Sequence, residues 1–175
     1  RSLQLSALQA GYVLATMAIG AFIAGAAARL LADAIGAARV VVLGLALEVI
    51  GIIATASFIH LDLSAWWIAG SLVPYGFGLG LASAQLTSTV LRDVPVAQSG
   101  TGSAVQSTVR QVGAATGAAL GGTMLAIGLG DLSMQQASAE QFAAASAVAV
   151  WTSVAVLVVG LIASLRVARA ADQGK

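Results

Sequence analysis

Charged residues are scarce in this sequence, and cysteine is absent. Asp, Glu, Lys and Arg make up only 9% of the 175 residues, whereas 59% are hydrophobic. Soluble domains carry about 25% charged residues, and a soluble fold of this size could not hide so much apolar surface from water. We therefore expect a lipid bilayer to surround the chain. The lack of cysteine excludes disulfide frameworks and thiolate metal sites.

Several kinds of functional motif are also missing. The net charge of +1 and the lack of a basic patch with interleaved aromatic residues exclude nucleic acid as a partner. His60 is the only histidine, so neither a zinc site nor a histidine-activated serine is expected. The stretch Gly100-Thr101-Gly102 lacks the third glycine of a dinucleotide-binding loop, and there is no P-loop. The sequence thus predicts no enzyme activity and no metal or cofactor.

The sequence starts with Arg1 rather than methionine and does not show a signal-peptide pattern. Arg1 is not followed by a charged region, a short apolar run and a small-residue cleavage site in that order. We expect the start to be an internal break within a longer protein. A processed or trimmed small membrane protein is the alternative.

Long apolar runs dominate what is present. A membrane-spanning helix needs about 20 mostly apolar residues, and no run shows the alternation of polar and apolar residues typical of membrane strands. The predicted fold is an all-α, polytopic transmembrane helix bundle of about five spans. The longest connection is predicted to hold a short helix at 138–144, with Ser138 as its N-cap. The spans lie near residues 8–31, 40–59, 65–91, 100–127 and 145–165.

The positions of the basic residues predict the orientation. If the helices alternate in direction, all but one of the basic residues flanking the spans share one side, and Arg1 lies opposite. Lys and Arg favour the cytoplasmic side, which places the tail at 166–175 in the cytoplasm of a bacterial cell, inside its plasma (inner) membrane. Aromatic residues, which favour the membrane interface, fall near the predicted outer ends at Tyr12, Trp66, Trp67 and Trp151. The basic residues on the predicted inner side are Arg29, Arg39, Arg92, Arg166, Arg169 and Lys175.

The fourth predicted helix carries an arginine among glycines. Glycines four residues apart let two helix backbones approach closely, and an arginine inside a membrane helix costs about 2.5–3.5 kcal/mol. Arg110 is therefore expected to face protein or water. The alternative is that its side chain reaches the cytoplasmic interface. The residues that share this face at helical spacing are Gly102, Gln106, Arg110, Gly113, Gly117 and Gly121.

The second predicted helix contains Glu48, the only acidic residue deep inside a predicted span. Gly44, Gly51 and Thr55 lie on the same stripe of the helix. A carboxyl group held within the membrane can carry a proton during transport. The alternative is that Glu48 only holds helices together, either protonated or paired with a polar neighbour.

The third predicted helix has a polar face. Such a stripe is typical either of a water-filled cavity or of plain helix packing, and both interpretations remain open here. Pro74 and the glycine-rich run at 76–80 are predicted to weaken or bend this helix, and interrupted helices often mark transporter sites. The residues of this face are Ser71, Tyr75, Gly78, Ala82, Gln85 and Thr89.

The connection between the first two predicted helices contains a turn pattern. Gly36 can supply a positive φ at the end of the first helix. Asp33 can accept hydrogen bonds from the start of the next helix or pair with Arg39. A simple helix cap is the alternative to any functional role.

Three stretches together resemble the major facilitator superfamily, and most closely its fourteen-helix bacterial drug:proton antiporters. The first is Ser6-Ala7-Leu8-Gln9-Ala10-Gly11, and the second, Asp33-x-x-Gly36-x-x-Arg39, is similar to a degenerate second copy of the superfamily's loop motif. The third runs from Pro74, Gly76, Gly78 and Gly80 through Leu86-Thr87, Pro95 and Gly100 to Arg110-Gln111-x-Gly113 and Gly117.

The resemblance implies the last five helices of a proton-coupled transporter that exports drugs or other small amphipathic molecules by alternating access. Its partners would be the bilayer, the remaining N-terminal helices, the small-molecule substrate and the proton. The competing prediction is a non-transporting integral membrane subunit or scaffold that uses the glycine face for partner binding. We predict that the substrate or proton pathway includes Glu48, Tyr75, Gln85, Gln106 and Arg110, the cytoplasmic gate Asp33, Gly36 and Arg39, and the helix-packing face Gly113, Gly117 and Gly121.

Overall fold

Five long helices make up the described part of the fold. A computed structural model describes residues 7–60, 65–92, 94–130 and 137–173, so Arg1, Ser6 and Lys175 lie outside the described residues. The described part contains helices and no strand, which confirms the all-α prediction. The helices are α1 (Ala7–Ile35), α2 (Ala37–His60), α3 (Ala65–Leu91), α4 (Ser99–Leu129) and α5 (Ala139–Gln173), with a short 3-10 helix at Val96–Gln98.

Four of these helices are long and apolar enough to cross a membrane, judged over the described residues. In lipid the backbone polar groups can bond only within the protein, which is why such apolar runs become uninterrupted helices. α3 has the length of its predicted span and carries no charged residue, but it is not one of the four apolar segments, so the fifth span remains a prediction. The four apolar segments are Gly11–Ile35, Ala37–Phe58, Val96–Leu129 and Glu140–Ala170.

α5 differs from the prediction of a short helix followed by a separate span and a tail. It is one helix of 35 residues, from Ala139 to Gln173. Ser138 is its N-cap, as predicted: the Gln141 backbone N–H donates to Ser138 Oγ at 3.2 Å. The Ser138 N–H in turn donates to Gln141 Oε1 at 2.9 Å. This reciprocal capping box satisfies two backbone donors, and no helix breaker follows it, so the short helix continues into the span.

α3 lies between α1 and α2, while α5 packs against α2 and α4. Residues that come later in α1 contact residues that come later in α3, so these two helices run in the same direction. Close approach on this side depends on α3 glycines: a Cβ atom at Gly76 would collide with the Met17 carbonyl oxygen, and one at Gly80 with that of Ala21. The Thr16 hydroxyl also donates to the Ala69 carbonyl oxygen at 3.1 Å.

The best-buried apolar cluster lies where α1, α2 and α3 meet. Ala24, Ala28 and Val40 are completely buried there, and Leu81 of α3 is nearly so. The small alanine side chains allow the three helices to come together near the α1–α2 turn. At that turn Gly36 has a φ of 93°, which confirms the predicted positive value, and its N–H donates to the Ala32 carbonyl oxygen at 2.9 Å.

Candidate functional site

The two stripes predicted on separate helices face each other. α2 and α3 run antiparallel, so Gly44 lies opposite Ala82 and Gly51 opposite Tyr75. At one end of this interface Thr55 Oγ1 and Ser71 Oγ lie 2.7 Å apart and share a hydrogen bond. α2 therefore covers the polar face of α3, and both stripes are buried within the protein.

Glu48 is at the centre of this interface. Its side chain is only 6% exposed, and a Cβ atom at Gly78 would lie 2.9 Å from Glu48 Cγ and would collide with the Gly44 carbonyl oxygen. Tyr75, one helical turn from Gly78, lies close enough to interact electrostatically with the Glu48 carboxyl group. Within the described part of the chain, no hydrogen bond or ion pair reaches that carboxyl group. Glycine thus allows a carboxyl group to be enclosed between two helix backbones.

Gln85 continues the same interface toward the end of α3. Its side chain is buried, and its Oε1 accepts a hydrogen bond from Ser88 Oγ at 3.1 Å. Thr89 Oγ1, one turn further on, is buried and lacks a hydrogen-bond partner among the described residues. The interface is therefore polar along most of the length of α3.

A second polar site lies in a cleft between α3 and α4, which we call the α3–α4 cleft. Its volume is about 480 Å³, and Gln106 Nε2 donates to Thr87 Oγ1 across it at 3.1 Å. Its polar lining consists of Gln98, Thr101, Gln106 and Arg110, and its apolar lining of Leu86, Val90, Leu91, Val94, Val105 and Val109.

The predicted site residues consequently form separate groups. Glu48 and Tyr75 interact at the α2–α3 interface, Gln85 is buried about three helical turns from Tyr75 along α3, and Gln106 and Arg110 line the α3–α4 cleft. The predicted gate residues lie at the α1–α2 turn, where Asp33, Gly36 and Arg39 are exposed. The predicted packing glycines have open space around them, with no described atom within 4 Å of a Cβ at Gly113, Gly117 or Gly121.

The sequence did not single out Thr87 as a site residue. It lies on the opposite face of α3 from the polar stripe, and its hydroxyl group holds the Gln106 amide. An isolated threonine in a membrane helix has no periodic signal, because its hydroxyl group can bond to its own helix backbone. Only the packing of α4 against the end of α3 reveals its partner.

These helices define a multi-pass membrane protein, since four of them are apolar and long enough to cross a bilayer. The sequence also supports a relationship to a transporter. It is 34% identical over 122 residues to the multidrug efflux pump LfrA of Mycolicibacterium smegmatis. The aligned region covers 70% of this chain but 24% of the pump, so the chain spans about a quarter of that relative. No protein-family model and no solved structure matches the sequence. The similarity points toward a transport protein and away from an enzyme.

Proposed function

We propose that this chain is part of a proton-coupled secondary transporter of the bacterial inner membrane, which exports drugs or other small amphipathic molecules by alternating access. The observation that carries the proposal is the 34% identity to a multidrug efflux pump over 70% of the chain. The apolar helices support it, because they provide the membrane setting that such transport needs. The remaining helices of the transporter would lie outside the aligned region.

Proton coupling is proposed to depend on Glu48. A carboxyl group between closely packed helices has a lower burial cost in its neutral form, because apolar surroundings disfavour a charge that no described basic residue pairs with. Proton release then requires access of water to the α2–α3 interface. Separation of α2 from α3 at Gly78 would open that access beside Tyr75, which interacts electrostatically with the carboxyl group. Binding and release of the proton would in this way be linked to the packing of two helices.

The gate is proposed to form at the α1–α2 turn. Gly36 holds a backbone conformation that other residues rarely adopt, so the two helices keep a fixed connection there. Asp33 and Arg39 lie exposed on either side of it. The gate would form where this turn, with Asp33 and Arg39 at its surface, meets other parts of the transporter on the cytoplasmic side.

The test is an efflux assay with the protein at its full natural length. We expect Glu48→Gln to reduce proton-gradient-driven efflux of a fluorescent lipophilic dye to the level of cells without the transporter, because glutamine cannot exchange a proton. Glu140→Gln is the matched control, since Glu140 is an exposed carboxylate in the first turn of α5. Efflux by the Glu48 variant equal to that of the control would refute the coupling role.

One observation favours the competing function of a non-transporting subunit or scaffold. The α4 face at Gly113, Gly117 and Gly121 is open, and such a face suits close contact with another helix. A transporter would supply that helix from its own remaining chain. Absence of efflux by the wild-type protein, in cells where it reaches the membrane in normal amounts, would favour the subunit.

A further inference from the structure

The α3–α4 cleft has the size and the walls of a ligand site. Small-molecule sites typically have volumes of about 300–1,000 Å³ and combine apolar walls with a few polar groups, and this open cleft has a volume of about 480 Å³. Val90 of α3 and Val105 and Val109 of α4 are among the apolar side chains that line it. A hydrocarbon chain can therefore lie between the two helices.

One charged side chain lies in the part of the cleft lining that the structure describes. It is that of Arg110, which is exposed. No ion pair to its guanidinium group is formed by the residues that the structure describes. A guanidinium group that has no ion pair among the described residues and lies beside apolar walls favours an anionic ligand, because it binds carboxylate or phosphate oxygens with two parallel hydrogen bonds.

Polar side chains near Arg110 are held in place. The Gln106 amide nitrogen donates to Thr87 Oγ1 at 3.1 Å, which bridges the two helices across the cleft. Gln106 lies one helical turn before Arg110 on the same face of α4. This hydrogen bond therefore links α3 and α4 beside the guanidinium group.

From these features we infer that the α3–α4 cleft binds a single-chain amphipathic anion, with its anionic group on Arg110 and its hydrocarbon chain along the valine side chains. A fatty-acid carboxylate has this chemistry, and so has an acidic lipid of the bilayer. The inference deepens the proposed function by naming a ligand class and rests on it to that extent. Binding, however, is measured without transport, so loss of efflux and loss of binding are separate results.

The first test measures binding of radiolabelled oleate to the full-length protein in phosphatidylcholine nanodiscs, with protein-free nanodiscs subtracted. We expect Arg110→Gln to weaken binding by about ten- to a hundredfold, as loss of hydrogen bonds to a charged group does. Arg110→Lys should weaken oleate binding less, because lysine keeps the positive charge. Arg166→Gln, at an exposed arginine of α5, is the control and should bind as the wild type does.

A second pair of variants tests the apolar part without changing charge. Val105 lines the cleft and is 58% exposed, whereas Val112 on the same helix is 61% exposed and lies outside the lining. We expect Val105→Trp to block oleate binding and Val112→Trp to leave it unchanged. The inference would be overturned if these two tryptophan variants bound oleate equally well. It would also be overturned if the wild-type protein bound oleyl alcohol as tightly as oleate.

Nanodiscs that also contain phosphatidylglycerol distinguish the two sources of the anion. If phosphatidylglycerol competes with oleate and this competition requires Arg110, the cleft binds an acidic membrane lipid. Oleate binding that phosphatidylglycerol leaves unchanged would assign it to a free single-chain amphiphile. Unaltered oleate binding by Arg110→Gln in both kinds of nanodisc would show that the cleft does not select anions.

Discussion

At the residue scale, glycine decides how closely the helices approach. Gly76 and Gly80 face α1, whereas Gly78, between them in the sequence, faces α2 and Glu48. The run from Gly76 to Gly80 therefore serves two interfaces, because residues two apart in a helix lie on different faces. Gly70, six residues before the run on the same helix, has no described atom within 4 Å of a Cβ position.

This difference predicts opposite outcomes for one substitution at two sites. Gly78→Ala would place a Cβ atom against the Gly44 carbonyl oxygen and the Glu48 backbone nitrogen, and overpacking of this kind costs about 1–3 kcal/mol. Gly70→Ala meets open space and should leave stability unchanged or slightly raised. Unfolding in mixed micelles of increasing denaturing-detergent content measures both variants. Equal stability of the two would show that α2 and α3 do not pack as described.

At the element scale, α3 and α5 show which features of a helix a local sequence pattern can predict. Pro74 and the glycine run do not interrupt α3, which is continuous from Ala65 to Leu91, and the bend that they predict stays a prediction. Neighbouring helices on two sides hold α3, and tertiary packing routinely overrides weak helix propensity. In α5 the opposite holds, since a local capping box determines where the helix begins.

The cap of α5 can be tested by itself. Ser138→Ala removes the oxygen that accepts the Gln141 N–H, and loss of such a cap costs about 1 kcal/mol. Amide hydrogen exchange should then become faster in the first turn of α5 and stay unchanged in its middle. Ser153→Ala is the control, because the Ser153 hydroxyl bonds only to the Ala149 carbonyl oxygen inside the same helix. Faster exchange in both variants alike would mean that the cap does not define the start of α5.

At the scale of the whole molecule, the helix directions agree with successive crossings. α1 and α3 run in parallel and α2 runs against them, as alternate passage through a bilayer requires. The basic residues predict which side is cytoplasmic. The connection between α1 and α2 and that between α3 and α4 should then lie inside the cell, and the start of α5 outside.

Single cysteines can test this orientation, since these 175 residues contain none. We expect a membrane-impermeant maleimide added to intact cells to label Glu140→Cys but not Ala34→Cys or Val96→Cys. All three native residues are exposed, so permeabilised cells should show labelling of all three variants. Labelling of Ala34→Cys and Glu140→Cys from the same side would contradict the alternation of the helices.

The sequence by itself determined the helices, because apolar length and the bonding needs of a backbone in lipid are local properties. The stripes containing Glu48 and Tyr75 were also visible, since helical periodicity places their members on one face. Ser138 was identifiable as a cap from its position before an apolar run.

Only the tertiary structure decided which faces meet. Periodicity shows that Glu48 and Gly78 each lie on a stripe, but their pairing depends on the register of α2 against α3, which involves residues distant in sequence. For the same reason, the sequence could not predict the hydrogen bond between Thr87 and Gln106. Helix packing also distinguishes the glycine run of α3, which contacts neighbouring helices, from Gly113 and Gly117 of α4, which have open space around them. A glycine has the same sequence signal in both settings, and the neighbouring helix makes the difference.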